Sequence, residues 1–178
     1  MKSAEELAAS RYKTMPLPES VLVIPEFDGK YPIPIIEFAS DHFMESWHFI
    51  IYNDGSLFLD EKYIKKIPLV ELKKLILELN NKGLYDISEL GIILSLMDLK
   101  KMTILDVILP PPDRPLVPTT GIDGGTITIR IHLMEFNYYL SFYAIDIYYQ
   151  EFPTSQDVQI LWESIGYLQD SFRKFMEN

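Results

Sequence analysis

The stretch GIDGGTITIRIHLMEFNYYLSFYAI, residues 121–145, decides the predicted fold. Apolar and polar side chains alternate along two runs, a pattern typical of half-buried β-strands. Pairing the runs as a hairpin over residues 126–145 gives one apolar face, made of Ile127, Ile129, Ile131, Leu133, Tyr138, Leu140, Phe142 and Ala144. The other face then carries Thr128, Arg130, His132, Tyr139, Ser141 and Tyr143.

A long amphipathic helix follows the hairpin and is expected to cover its apolar face. Thr154 or Ser155 can cap this helix, which runs through TSQDVQILWESIGYLQDSFRKFME. Apolar residues recur along it at spacings of three and four, the spacing of one helix face. The predicted stripe consists of Val158, Leu161, Trp162, Ile165, Leu168, Phe172 and Phe175.

A second hairpin is predicted in WHFIIYNDGSLFLDE, residues 47–61. Asp54-Gly55 suits a two-residue turn in which both central residues have positive φ. This turn would place Tyr52 opposite Leu57, Ile50 opposite Leu59 and His48 opposite Glu61. Both faces of the hairpin then carry large apolar residues, so we expect cover on both sides or over part of the second side.

Two more helices are predicted between the hairpins. Pro68 suits the first turn of a helix and Gly83 suits the position just past its end. Asp86 and Glu89 have the spacing of a capping box for a shorter helix through Leu99. Residues 102–109 alternate weakly, so helix and strand remain alternatives within residues 88–108. The buried face of the Pro68 helix is predicted to be Leu72, Leu75, Ile76 and Leu79.

The remaining segments are less regular. Residues 3–12 are predicted to be a short helix or a frayed arm within residues 1–15. Residues 21–38 contain two strand-like runs, and Pro25, Pro32 and Pro34 should restrict these runs to sheet edges. Residues 109–125 contain five prolines and three glycines and are predicted to be an extended connector.

The order of elements predicts one α+β domain over residues 1–178. We expect an antiparallel sheet of five or six strands. The two main amphipathic helices, those beginning at Pro68 and near Thr154, should pack on one of its faces.

Composition limits the classes of partner. The formal charge of −10 disfavours binding to nucleic acid or an anionic membrane and favours a basic protein partner. The absence of cysteine excludes disulfides, thiolate catalysis and cysteine-ligated zinc. The N-terminus lacks the apolar run of a signal peptide, so a cytoplasmic protein is predicted, or an exported one if a leader was removed. The oligomeric state stays open.

Short motifs give no specific chemistry. The sequence GIDGG lacks the lysine of a phosphate-binding loop and is followed by a strand, so it is read as a turn. The Pro112-x-x-Pro115 pattern is read as a stiff loop rather than a polyproline ligand. The histidines His42, His48 and His132 lack metal-ligand spacing, and no G-x-S-x-G elbow is present. No metal or cofactor is predicted.

The leading hypothesis is a non-enzymatic binding or protein-interaction module that uses the tyrosine-rich sheet face. Its candidate binding residues are Arg130, His132, Tyr139 and Tyr143, since tyrosine and arginine are enriched at interfaces. The alternative for this face is a solvated sheet surface with cross-strand pairs that stabilise the hairpin. A third hypothesis for the protein is a structural subunit, which predicts one large exposed apolar patch and a stable dimer.

A hydrolase-like enzyme that uses His48 or His132 is the other hypothesis. A deep pocket in which a histidine meets two carboxylates within about 4 Å would favour the enzyme. A flat face would favour binding.

Parts of the chain resemble a set of uncharacterised bacterial α+β domains. The similar parts are TTGIDGGTITIRI, the strand LSFYAIDIY with the closing helix, the strand–Asp-Gly–strand unit over 52–59, and the helix over 68–86. The resemblance implies the same fold and no particular activity, and it transfers no functional residue. Several of those domains look exported or lipid-anchored. The segment 88–118 and the proline-rich entry depart from the pattern.

Overall fold

A computed structural model describes residues 16–41, 46–100 and 125–177, with the side chains of 97–100 excepted. Its six strands form one antiparallel sheet in the order β4-β3-β2-β1-β5-β6. The strands are β1 (Pro34–Asp41), β2 (Ser46–Tyr52), β3 (Ser56–Leu59), β4 (Lys62–Lys66), β5 (Thr126–His132) and β6 (Asn137–Tyr143). The helices are α1 (Leu69–Asn81), α2 (Glu89–Lys100), α3 (Ile145–Glu151) and α4 (Gln156–Glu177), with a 3-10 turn at Leu84–Asp86. The predicted α+β class is confirmed.

The hairpin that decides the fold forms with the two predicted faces. Ile129 lies opposite Leu140, and Arg130 lies opposite Tyr139. The eight apolar positions of the hairpin are all buried. The chain leaves β6 through Ala144, which has a φ of 55°, and directly begins α3, a helix that the alternation pattern did not reveal.

Helix α4 packs on the core face of the sheet at strands β1 and β2. The ring of its Phe172 stacks on Phe49 of β2 at 4.4 Å between centroids and on Phe38 of β1 at 6.0 Å. Trp162 is wrongly assigned to the buried stripe, because it is 36% exposed and stacks on Tyr149 of α3 at 5.1 Å. The N-terminal cap is Ser155, whose carbonyl accepts from the backbone N–H of Gln159 at 3.0 Å.

The prediction that prolines restrict residues 21–38 to sheet edges is wrong. Strand β1 lies in the interior of the sheet, paired with both β2 and β5. Its pairing is irregular only between Pro34 and Ile36, so the missing N–H of Pro34 falls at the first position of the strand. The earlier run, residues 21–25, is not a strand. A proline at the entry of a strand therefore leaves the rest of the ladder intact.

The predicted register of the β2–β3 hairpin is wrong by one residue. Ile51 pairs with Leu57, and Ile50 pairs with Phe58. The loop has three residues because the N–H of Gly55 bonds to the carbonyl of Tyr52 at 2.9 Å, and Gly55 then adopts a φ of 89°. This extra residue places Leu57 in the core and Phe58 on the opposite face of the sheet.

Helices α1 and α2 form where the sequence predicted helices. Gly83 ends α1 with a φ of 86°, and the four predicted face residues of α1 are buried. The cap of α2 is Ser88 rather than the predicted Asp86, because Ser88 Oγ accepts from the N–H of Gly91 at 3.0 Å. Residues 89–100 are helical. The strand alternative for 102–109 lies outside the described residues, as do the arm at 1–15, His42 and connector residues 109–124.

Two buried amides fasten the irregular segment 17–33 to the domain. Asn80 of α1 accepts from the N–H of Leu17 and donates to its carbonyl, each at 2.9 Å. Asn53 accepts from the N–H of Ile33 at 2.8 Å and donates to the carbonyls of Pro25 and Glu26, each at 3.2 Å. The irregular segment is therefore held by specific side-chain bonds where a sheet ladder is missing.

Candidate functional site

The candidate site is the face of the sheet opposite the core, named here the open face. The six hairpin residues predicted to lie opposite the aliphatic stripe do so, and Arg130, His132, Tyr139 and Tyr143 are exposed. Strands β1 to β4 extend this face beyond the hairpin. Their contribution to it is Glu37, Ala39, His48, Ile50, Tyr52, Phe58 and Tyr63.

A row of four side chains crosses four strands of the open face and is named here the polar row. The guanidinium carbon of Arg130 lies 5.2 Å from the centroid of the Tyr139 ring. Nη1 of Arg130 donates to Oε2 of Glu37 at 3.1 Å, and Nε2 of His48 lies 2.8 Å from Oε1 of the same carboxylate. Glu37 therefore links the two halves of the sheet through one bridging carboxylate.

His132 and Tyr143 lie on the open face but outside the polar row. His132 Nδ1 hydrogen-bonds to Oδ1 of Asn137, the residue directly opposite on β6. Tyr143 lies opposite Thr126 at the other end of the hairpin. The four candidate binding residues thus spread along the whole hairpin, and Arg130 and Tyr139 among them contact each other.

An aromatic cluster covers the β2–β4 side of the open face. The Phe58 ring lies 5.4 Å from Tyr52 and 5.6 Å from Tyr63, both in edge-on geometry. These contacts cover part of the second face of the β2–β3 hairpin, as predicted from the large apolar residues on both of its faces. Sequence analysis missed this cluster because the predicted two-residue turn paired Ile50 with Leu59 rather than with Phe58.

Glu37 is the other residue that sequence analysis missed. It lies between the buried Ile36 and Phe38, so alternation alone could have assigned it to the open face. Its partner Arg130 is 93 residues away in the chain. Local sequence patterns carry no information on such a pairing, so the bridging role was not visible.

Among the residues that the structure describes, neither His48 nor His132 has two carboxylates beside its ring. Within the described residues, the ring nitrogens of His48 lie within 4.0 Å of only one carboxylate, that of Glu37. His132 contacts the amide of Asn137. Neither histidine lines any of the three cavities described below. Residues 16–41, 46–100 and 125–177 contain no group of three or more His, Cys, Asp or Glu side chains placed to hold a metal ion.

Three cavities lie away from the open face. The largest, about 1100 Å³, lies between the segment 23–27, the β2–β3 loop and the β4–α1 junction. The second, about 520 Å³, lies between Trp47 of β2 and Trp162 of α4, with Asp146 on its wall. The third, about 420 Å³, lies between α1 and the end of α4.

Perturbed ionisable groups also lie outside the open face. Burial raises the pKa of the Asp157 carboxyl in the first turn of α4. At Asp54, burial opposes ionisation, but hydrogen bonds from the N–H and hydroxyl of Ser56 and the charge of Lys66 outweigh it and lower the pKa. Burial raises the pKa of both Tyr85 and Tyr138, whose rings pack 5.6 Å apart. None of these four groups lies on the open face.

Comparisons with models of known families, with curated proteins and with solved structures gave no match for this chain. Among the described residues, no helix combines the length and apolar character needed to cross a bilayer.

Proposed function

We propose that the protein is a non-enzymatic binding module that captures a protein partner on the open face. The observation that carries this proposal is the polar row, in which Arg130 lies between the ring of Tyr139 and the carboxylate of Glu37. Tyr139 remains 60% exposed in this arrangement. The face thus presents an aromatic ring and a guanidinium that are already oriented.

Orientation before binding is what makes such residues effective anchors. Tyrosine and arginine dominate the energetics of protein interfaces. Ordering a flexible side chain on binding costs about 0.5–1.5 kcal/mol, and groups held in advance avoid part of that cost. Glu37 holds Arg130, and the antiparallel ladder holds the backbone beneath both residues.

The composition of the open face separates binding from the alternatives. A structural subunit would need a broad apolar patch, whereas charged and hydroxyl side chains here interrupt the aromatic residues. A hydrolase would need a recessed site, whereas among the described residues the His48 ring contacts one carboxylate, that of Glu37, on a sheet face. The net charge of −10 favours a basic partner through long-range attraction.

The test is affinity capture with purified protein as bait. Replacing Tyr139 and Tyr143 together by alanine should leave the melting temperature nearly unchanged, because both rings are exposed. The double variant should lose the partners that the unaltered protein retains. Tyr31→Ala is the matched control, since Tyr31 is 77% exposed and lies outside the sheet. Equal capture by the double variant would eliminate the proposal.

A further inference from the structure

The second cavity, named here the two-tryptophan cavity, lies at the end of the sheet where β1 ends and where β2 and β5 begin. Its walls come from those strand ends, from the first turn of α3 and from the middle of α4. Its volume of about 520 Å³ lies within the range of about 300–1000 Å³ that is typical of small-molecule sites. The cavity therefore has the size to hold a small ligand.

Two indole rings line the cavity, and neighbouring rings hold each of them in place. The Trp47 ring of β2 lies 5.2 Å from Phe38 and 5.3 Å from Phe49, between centroids. The Trp162 ring of α4 stacks on Tyr149 at 5.1 Å, with 18° between the ring planes. Both indoles are therefore oriented before any ligand arrives. The chain contains two tryptophans, so every tryptophan of the sequence lines this cavity.

A glycine of α4 leaves free space in the cavity. Trp162, Gly166 and Gln169 all line it and are spaced by four and three residues, so they share one face of the helix. Glycine disfavours a helix interior. A Cβ built on Gly166 meets no heavy atom of the described residues within 4 Å, so close packing does not explain the glycine. A larger side chain at position 166 would occupy space beside Trp162.

The charge of the cavity has one sign. Among the described residues that line it, Asp146 in the first turn of α3 is the one charged residue. The ion pairs found among the described residues involve other carboxylates, so no described lysine, arginine or histidine neutralises Asp146. The remaining polar side chains of the wall are the Ser40 hydroxyl and the Gln169 amide, and both can accept a hydrogen bond.

This combination of groups selects an organic cation. The face of an indole ring attracts a positive charge, and a carboxylate attracts the same charge and repels an anion. A divalent metal ion would need several oxygen ligands, which a wall with one carboxylate does not supply. The buried side chains of Ile127, Ile145 and Ile165 complete the wall and favour an apolar group next to the charge.

We propose that the two-tryptophan cavity binds a small organic cation, in which an ammonium group is attached to an apolar body. The ammonium group would lie beside Asp146 and an indole ring, and the apolar body would cover the isoleucines. This site is separate from the open face and does not rest on the function proposed for that face.

The experiment is NMR titration of the full chain labelled with ¹⁵N, because the indole N–H signals of Trp47 and Trp162 report on this cavity. The probes are benzyltrimethylammonium, benzyl alcohol and phenylacetate, which carry the same phenyl ring with a positive, a neutral and a negative group. Benzyltrimethylammonium should shift both indole signals to saturation and bind about fivefold or more tightly than benzyl alcohol. Phenylacetate should cause no saturable shift.

Two variants assign the binding to the cavity. Asp146→Asn keeps the shape of the side chain, so it should weaken benzyltrimethylammonium by about fivefold or more and leave benzyl alcohol unchanged. Asp170→Asn is the matched control, because it makes the same change at an exposed position of α4 outside the cavity and should bind normally. Gly166→Leu should fill the cavity and abolish binding of both probes. Its melting temperature should be no lower than that of the unaltered protein, since leucine favours a helix over glycine.

Any of four results would overturn the proposal. Benzyltrimethylammonium could cause no saturable shift, or it could bind no more tightly than benzyl alcohol. Asp146→Asn could bind the cation as tightly as Asp170→Asn does. Normal binding by a folded Gly166→Leu variant would place the probe outside the cavity.

Discussion

Arg130 on β5 and Glu37 on β1 form a hydrogen-bonded ion pair of 3.1 Å that spans 93 positions of sequence. The pair lies in the middle of the open face, and each partner also contacts a further side chain: Tyr139 for Arg130, and His48 for Glu37. It therefore orients groups across four strands. We expect its role in orientation to exceed its contribution to stability, because the Arg130 side chain is 56% exposed.

A double-mutant cycle separates these two roles. Arg130→Ala, Glu37→Gln and the double variant should show a coupling free energy below about 1 kcal/mol in urea unfolding, the range measured for exposed ion pairs. Binding of a captured partner should fall in both single variants. A coupling free energy of several kcal/mol would instead identify the pair as a structural element of the sheet.

The β2–β3 loop should tolerate no side chain at Gly55. A Cβ built there lies 2.3 Å from the carbonyl oxygen of Ile67, and φ is 89°. Gly29 has a similar φ of 83°, but a Cβ built there has nothing within 4 Å. Gly29→Ala should therefore reduce the free energy of unfolding only by the backbone cost of about 1–2 kcal/mol. The free energy of unfolding should fall clearly further in Gly55→Ala. Equal losses would show that the contact with Ile67 relaxes at no cost.

Removing the Asn80 amide should release the irregular segment near Leu17. Asn80→Ala leaves the N–H and carbonyl of Leu17 without their partner, at a cost of about 1–3 kcal/mol. The neighbouring Asn81→Ala is a matched control on the exposed side of α1 and should change stability by no more than about 0.5 kcal/mol. Chemical denaturation of both variants measures the difference. Similar effects would mean that other contacts hold the segment.

Stability should depend on pH through Asp157. Burial raises the pKa of this carboxyl above its ordinary 3.8, and its Oδ1 has no hydrogen-bond partner among the described residues. The charged form is therefore penalised in the folded state at pH values above the raised pKa. The penalty shrinks as the pH falls below the raised pKa and is absent below the ordinary value of 3.8. Asp157→Asn should increase the free energy of unfolding at pH 7, and this gain should shrink toward pH 4.

Glu163 is exposed on α4, so Glu163→Gln is the control for that measurement. It should change the free energy of unfolding by no more than about 0.5 kcal/mol. A gain for Asp157→Asn that persists unchanged at low pH would contradict the assignment of the raised pKa.

Periodicity predicted those parts of the fold whose information is local. The β5–β6 hairpin and the helices α1 and α4 each carry an apolar stripe and recognisable ends, so their positions and, apart from Trp162, their buried faces could be predicted from the sequence. The hairpin also predicted which of its residues face solvent. Arg130 contacts Tyr139 because the two residues lie directly opposite each other on β5 and β6.

The errors arose where a single residue or a distant contact decides the structure. One extra loop residue at Gly55 shifted the pairing of β2 with β3 by one residue. Pro34 lies at the entry of β1, which is nevertheless an interior strand. The pairing of β1 with β5, which creates the Arg130–Glu37 contact, depends on the packing of the whole sheet. No local pattern in the sequence encodes that pairing.

The most direct test of the open face as a contact surface is site-specific photocrosslinking. A benzoylphenylalanine placed at position 139 and another placed at position 31 would be irradiated in cells that produce the protein, and the products identified by mass spectrometry. We expect a discrete adduct with another protein from position 139 and none from position 31. Absence of an adduct at position 139, or the same adduct from both positions, would contradict that expectation.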